Sequence, residues 1–322
     1  MERQKFIDHL NPDVVEWLLE GDPVIRWQVR EQLLDEKDDD VHKDKMLIDI
    51  DGWGRKFLDL RDNTGTWDNT EYQSPWKATL WSLISLKEFG ISARDKKLAE
   101  STILLLEKGI RPDGGITPYD EEGRSDTCYT GLVLGLLSYF KIKDNRMEAI
   151  FEYLIENQMA DGGWNCDLFR GATHSSFHTT LSVLEGLYEY QKVNPHHQSM
   201  IIEIQEEGHQ FLLNHELYKS HRSGEIADHN FIKFAYPRRW LYDVLAALDY
   251  FQRIDYPYDE RFESAMHMIF KREVQGKWYL DIKHNGQVWF EMETVGEPSR
   301  WNTLRALRIL KWWYRIKKKA NF

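Results

Sequence analysis

Asp126, Cys128 and His178 are the residues of this sequence whose types and spacing could hold a metal. Asp126 and Cys128 stand in the opening turn of one helical segment, and His178 stands at the matching place fifty residues on. Carboxylate, thiolate and imidazole are all zinc ligands, and three of them leave a fourth position open for water or substrate, the arrangement of a catalytic zinc. Cys166, in the loop leading to the His178 segment, and His174, four residues before His178, are further candidate ligands. Each has a plain structural alternative: Asp126 as a helix cap, Cys128 as a small buried apolar residue, His178 as a hydrogen-bonded core histidine, Cys166 as a buried loop thiol.

A second set mixes arginine with aromatic residues: Trp76, Trp81, Arg238, Arg239, Trp240, Arg300, Trp301 and Asn302, with Asp243 beside them. Arginines among aromatic rings can hold a phosphate or carboxylate head. They equally suit ion pairs with Asp243 or Glu185, and the tryptophans equally suit packing. Asp126, Asp243 and Glu185 are the acids on these segments available for acid–base work. Asp38, Asp39 and Asp40 read as a solvated charge run in a polar turn.

What must position these residues is a repeat. An amphipathic segment precedes a segment rich in aromatic and small residues six times: 14–20 and 22–34, 43–60 and 74–89, 97–109 and 125–140, 147–158 and 175–190, 201–215 and 236–251, 260–273 and 298–313. Helices apolar on most sides are buried and amphipathic ones cover them, so the second members form an inner ring and the first members an outer one. Aligned on their aromatic ends, the inner segments share a register at Trp27, Lys77, Cys128, His178, Arg239 and Trp301. The spacing predicts an all-α fold, an (α/α)6 toroid (barrel) of six helical hairpins in one domain over 1–322, with long rim loops at 216–235 and 276–297. All inner helices then begin at one mouth, where Cys128 and His178 are neighbours. The hairpin loops NTGTWDN (63–69), RPDGGITPYD (111–120), ADGGWNCD (160–167) and VQGKWYLD (274–281) carry glycine, and three add tryptophan, which reads as a structural staple.

Thirteen tryptophans and 42% hydrophobic residues supply a large core. A net charge of −11 excludes generic attraction to nucleic acid. Two cysteines imply no disulfide framework and a reducing, cytoplasmic location. The opening MERQKFIDHL has no apolar leader core, and no apolar run is long enough to cross a membrane. The basic KWWYRIKKKANF end reads as a solvated helix end, with peripheral contact to an anionic membrane surface as the alternative.

The repeat with QMADGGW resembles that of squalene cyclases and protein prenyltransferase β subunits, over nearly the whole chain. DTCYTGLVLGLL resembles the prenyltransferase Asp-x-Cys-Tyr helix, and FHTTLSVLEGL its His-Thr helix. By that resemblance Asp126, Cys128 and His178 match three zinc ligands, Tyr129 a tyrosine facing the isoprenoid diphosphate, and Arg124 a loose remnant of the basic cluster. The cyclase Asp-x-Asp-Asp acid motif is absent. The resemblance implies a zinc-dependent terpenoid cyclase or prenyltransferase-like enzyme acting on an isoprenoid or other apolar substrate in a central aromatic cavity, with no nucleotide cofactor. The rivals are a carbohydrate-active hydrolase or lyase on the same barrel, predicting paired carboxylates, and a non-catalytic binding scaffold with a structural metal.

Overall fold

The computed structural model describes residues 10–73, 76–119 and 124–320. Ser74 and Pro75 of the second inner segment, residues 120–123, and the first nine and last two residues lie outside it.

Asn11 caps the first helix, α1 (Pro12–Leu19), and Asp22 caps α2 (Pro23–Gln28), which continues as a π-helical turn through Leu33. The segment expected at 43–60 is two short helices, α3 (Asp39–Leu47) and α4 (Gly52–Asp59). Asp38 caps α3, with Asp39 and Asp40 exposed in its first turn. There follow α5 (Thr79–Phe89), α6 (Lys96–Gly109), α7 (Thr127–Tyr139), α8 (Arg146–Glu156), α9 (Phe177–Gln191), α10 (Gln198–Asn214), α11 (Val244–Arg253), α12 (Glu263–Lys271) and α13 (Arg300–Ala320).

The inner helices α2, α5, α7, α9, α11 and α13 close into a ring. Trp27 of α2 donates its indole N–H to the Phe89 carbonyl of α5 at 2.8 Å. Trp81 of α5 meets Tyr129 of α7 edge-on, with ring centres 6.0 Å apart. Tyr188 of α9 donates to the Arg253 carbonyl of α11, and Asp249 of α11 pairs with Arg308 of α13 at 2.9 Å. The same Arg308 donates to Gln28 of α2 at 2.8 Å, which joins the last inner helix to the first. An open solenoid would leave those two ends apart.

The closest approach in the ring is between α7 and α9, where glycines face each other. A Cβ on Gly186 would lie 2.1 Å from the Gly131 carbonyl oxygen, so the backbones touch only because neither residue has a side chain.

The hairpin loops staple the two rings together. Trp67, Trp164 and Trp278 donate their indole N–H to the carbonyls of Phe57, Leu154 and Ile269 on the outer helices, at 2.7, 2.7 and 2.8 Å. Their backbone N–H groups donate to Thr79, Thr180 and Thr303 on the inner helices, each at 3.0 Å. In the third hairpin Ile116 takes the tryptophan's place and donates to Thr130. All three indoles are buried, so each satisfies one outer-helix carbonyl that water cannot reach. The structural reading of these tryptophans holds.

One inner segment departs from expectation. Residues 236–243 are not helical; α11 begins only at Val244, with Asp243 as its cap. Tyr236–Pro237 is a cis peptide and Arg239 has φ of 61°, and Tyr236, Arg238 and Arg239 of this segment line the axial cavity. The register therefore holds for Cys128, His178 and Trp301, each two residues past its cap at Asp126, Ser176 and Ser299, and fails for Trp27, Lys77 and Arg239.

The rim segment 276–297 reaches across the ring to the second hairpin. Trp76 donates to the Asn285 carbonyl, and Trp289 donates to the Lys77 carbonyl. The basic end of α13 is tied back by ion pairs from Arg315 to Asp255 and from Lys317 to Glu263. Among the described residues no helix is long and apolar enough to cross a membrane.

Candidate functional site

The two cysteines meet. The Cys128 backbone N–H, in the first turn of α7, donates to Cys166 Sγ at 3.2 Å, and the Thr179 hydroxyl donates to the same sulfur at 3.4 Å. Cys128 is pushed up by its hydrogen bond to Cys166 and by burial, while the donated hydrogen bonds hold Cys166 low. Asp126 caps α7 from the adjoining position, takes a 3.3 Å hydrogen bond from Thr117, and is raised by burial.

His178 faces the other way. Its Nδ1 accepts the Tyr242 backbone N–H at 2.7 Å, and its ring packs edge-on against Phe231, Trp240 and Tyr242 in the segment before α11. An accepting Nδ1 makes this a neutral imidazole, and burial pushes its pKa down to about 4. The reason is the non-helical 236–243 segment, which brings a backbone donor to the ring. Among the described residues no three His, Cys, Asp or Glu side chains come together as a metal group. His174 is exposed and bonds Arg222 and Thr173. As placed, Asp126, Cys128, His178, Cys166 and His174 do not form a zinc set.

The remaining candidates divide by position. Arg124 is exposed and stacks on Phe169. Tyr129 packs edge-on between Tyr72 and Trp81. Trp240 packs on His178. Asp243 is 2% exposed and spends its oxygens on the Ala246 and Ala235 N–H groups, a capping role. Arg300 points outward, donating to the Trp17 carbonyl and lying over the Trp17 ring. Trp76 packs on Trp81 at the rim, and Asn302 donates to the Tyr279 carbonyl.

Arg239 and Trp301 do reach a site, deeper than the mouth. An axial cavity of about 270 Å³ is lined by all six inner helices and by the 236–243 segment. One wall is apolar and small: Ile84, Gly131, Leu132, Gly135, Leu136 and Gly186. The other is charged. Lys87, Arg238, Arg239, Arg253, Arg305 and Arg308 face Glu88, Glu185, Glu189 and Asp249, six basic groups against four acidic ones. Trp27, Tyr139, Tyr236 and Trp301 are the aromatics, with Tyr236 stacked on Trp301 at 4.5 Å. The cavity is thus half apolar and half ionic, where the resemblance implied an aromatic one.

Most of these charges are paired. Glu185 bonds Arg238 and, at 2.6 Å, Arg253. Asp249 bonds Arg308, and Glu189 pairs with Lys87 at 3.4 Å. Burial alone would raise Glu185, but Arg238, Arg253 and Lys87 hold it at about 2. Glu88, the next-to-last residue of α5, makes no side-chain hydrogen bond or ion pair among the described residues. Burial raises its carboxyl above the ordinary range, against the opposing pull of Arg238, Arg305 and Arg253. One cavity therefore contains a carboxyl raised by burial and another held ionised by its arginines, carboxyls pushed apart as acid–base sites push them.

Glu88, Arg253, Arg305 and Arg308 escape a reading fixed on helix starts, because they all lie beyond the first turn of their helices. Their signal is polar residues recurring at three- and four-residue spacing on otherwise apolar helices: Gln28 and Gln32, Glu185 and Glu189, Asp249 and Arg253, Arg305 and Arg308.

No family model matches this sequence, and no curated protein does. Among solved structures the chain is similar to the type II terpene cyclase MstE from Scytonema in complex with geranylgeranyl dihydroxybenzoate, its substrate. Sequence identity is 14%, the match covers 98% of this chain and 97% of that one, and the TM-score is 0.45.

Proposed function

We propose that this chain is an enzyme working in its axial cavity by general-acid catalysis, with Glu88 as the proton donor. The substrate is a small molecule with an apolar body, an isoprenoid of short chain among the candidates, lying against the Gly131–Leu136 wall. The observation that carries this reading is the unpaired Glu88 carboxyl, raised by burial and open to the cavity beside an ionised Glu185. Such an acid gives its proton to an alkene carbon and is returned to the acid form by the proton that the resulting cation or its captured water releases.

The rival reading as a carbohydrate hydrolase needs a second carboxylate free to act as base or nucleophile. Glu185 and Asp249 are both tied in ion pairs, and Asp126 and Asp243 do not line the cavity, so the acid-only reading is favoured. No step is routed through zinc, because the expected donors diverge.

The test is turnover of geranyl diphosphate and geranic acid in D₂O, followed by mass spectrometry. Product carrying one solvent deuterium is expected from the native chain, with none from Glu88→Gln and a reduced yield from Glu88→Asp. Equal turnover by Glu88→Gln would remove Glu88 from the chemistry.

A further inference from the structure

We infer that the axial cavity holds an oxyanion head, a carboxylate or a phosphate, on Arg239 and Arg305, with the Tyr236 hydroxyl as a third donor. This deepens the function proposed above, since the head would anchor the substrate whose body meets Glu88.

The argument is a charge inventory. Of the basic groups lining the cavity, Arg238 and Arg253 share Glu185, Arg308 has Asp249, and Lys87 has Glu189. Arg239 has no carboxylate within ion-pairing distance among the described residues. Its polar contact is a 3.5 Å hydrogen bond to the Ser85 hydroxyl, and its guanidinium lies 5.5 Å from the Trp76 ring centre. Among the described residues the one carboxylate Arg305 reaches is Asp249, at 3.7 Å, which already serves Arg308.

Both arginines are more than nine-tenths buried, at 7% and 5% exposed. A buried cation without an anion is costly, so proteins supply the anion or a ligand does. Among the described residues the buried Tyr236 hydroxyl finds no hydrogen-bond partner, and neither does Arg308 Nε. Buried donors left open around one cavity mark the place of an acceptor that the chain itself does not provide. Burial lowers Arg239 to about 10, which leaves it charged at neutral pH. The cavity's volume suits about nine waters, enough for a head group and a short body.

The test is calorimetric titration of the full chain with inorganic phosphate and, separately, with hexanoate. One site per chain is expected for at least one of them, and which anion binds tells a phosphate head from a carboxylate one. Arg239→Met should weaken that binding by roughly tenfold or more, the scale of one charge-assisted hydrogen bond lost. Arg305→Gln should do the same and leaves Asp249 paired to Arg308, so it serves if Arg239→Met fails to fold. Glu88→Gln should bind the anion undiminished, which separates this inference from the acid reading: either can fail while the other stands. Absence of binding for both anions, or affinities unchanged in the folded arginine variants, would overturn it.

Discussion

Replacing Glu185 by glutamine should cost the fold about 3 kcal/mol at neutral pH. The Glu185 carboxylate holds Arg238 through one oxygen and Arg253 through the other, and its side chain is 16% exposed. Its pKa of about 2, against an ordinary 4.5, corresponds to about 3 kcal/mol of stability above pH 4.5. Removing one partner of a buried ion pair gives a similar figure, about 3–5 kcal/mol, because the arginines are left buried and unpaired. Since the folded pKa lies below the unfolded one, this stability is present above pH 4.5 and is lost as pH falls through 2. The gap between native protein and Glu185→Gln should therefore shrink to about half near pH 3. Urea unfolding followed by tryptophan fluorescence at pH 7 and pH 3 measures both quantities. A loss below about 1 kcal/mol at pH 7, or a gap that does not change with pH, would refute the account of the cavity as an ion-paired network.

Three further outcomes follow from the packing. His178 is neutral when folded, with a pKa near 4 against 6.5, so the unfolded chain takes up a proton first as pH falls. Stability should drop by about 3 kcal/mol between pH 6.5 and 4, and the part due to this residue should vanish in His178→Asn, read from unfolding midpoints across that range. Gly186→Ala should destabilise by about 1–2 kcal/mol through the clash with Gly131, although helix propensity alone would make it about 1 kcal/mol more stable; the sign of the urea midpoint shift decides. Trp164→Phe should cost about 1–3 kcal/mol in the same assay, because the Leu154 carbonyl loses its buried donor.

The ring was legible because its signals are local. Apolar periodicity marks each helix, and the glycine–tryptophan loops repeat where outer and inner helices must be joined, as Trp67, Trp164 and Trp278 now show. The register of Cys128 with His178 was equally readable from their caps. Which way His178 turns was not, because its Nδ1 is captured by Tyr242, 64 residues away, in a segment whose aromatic composition suggested helix. That rotation is what separates the Asp–Cys–His donors in this structure. The charged cavity was hidden for a different reason: Glu88, Arg253, Arg305 and Arg308 come from three helices far apart in sequence, and only the closed ring brings them to one axis. The expectation that arginines here would pair with Glu185 was the nearest approach to it, and Arg238 does so.

The central claim is that burial in the axial cavity lifts the Glu88 carboxyl above the ordinary range, and carbon-13 NMR titration of glutamate side-chain carboxyls, assigned by comparison with Glu88→Gln, tests it most directly. A Glu88 midpoint above 4.5 is predicted, moving higher still in the Arg305→Gln variant, which removes a neighbouring positive charge. A midpoint at or below 4.5, unmoved by that variant, would contradict it.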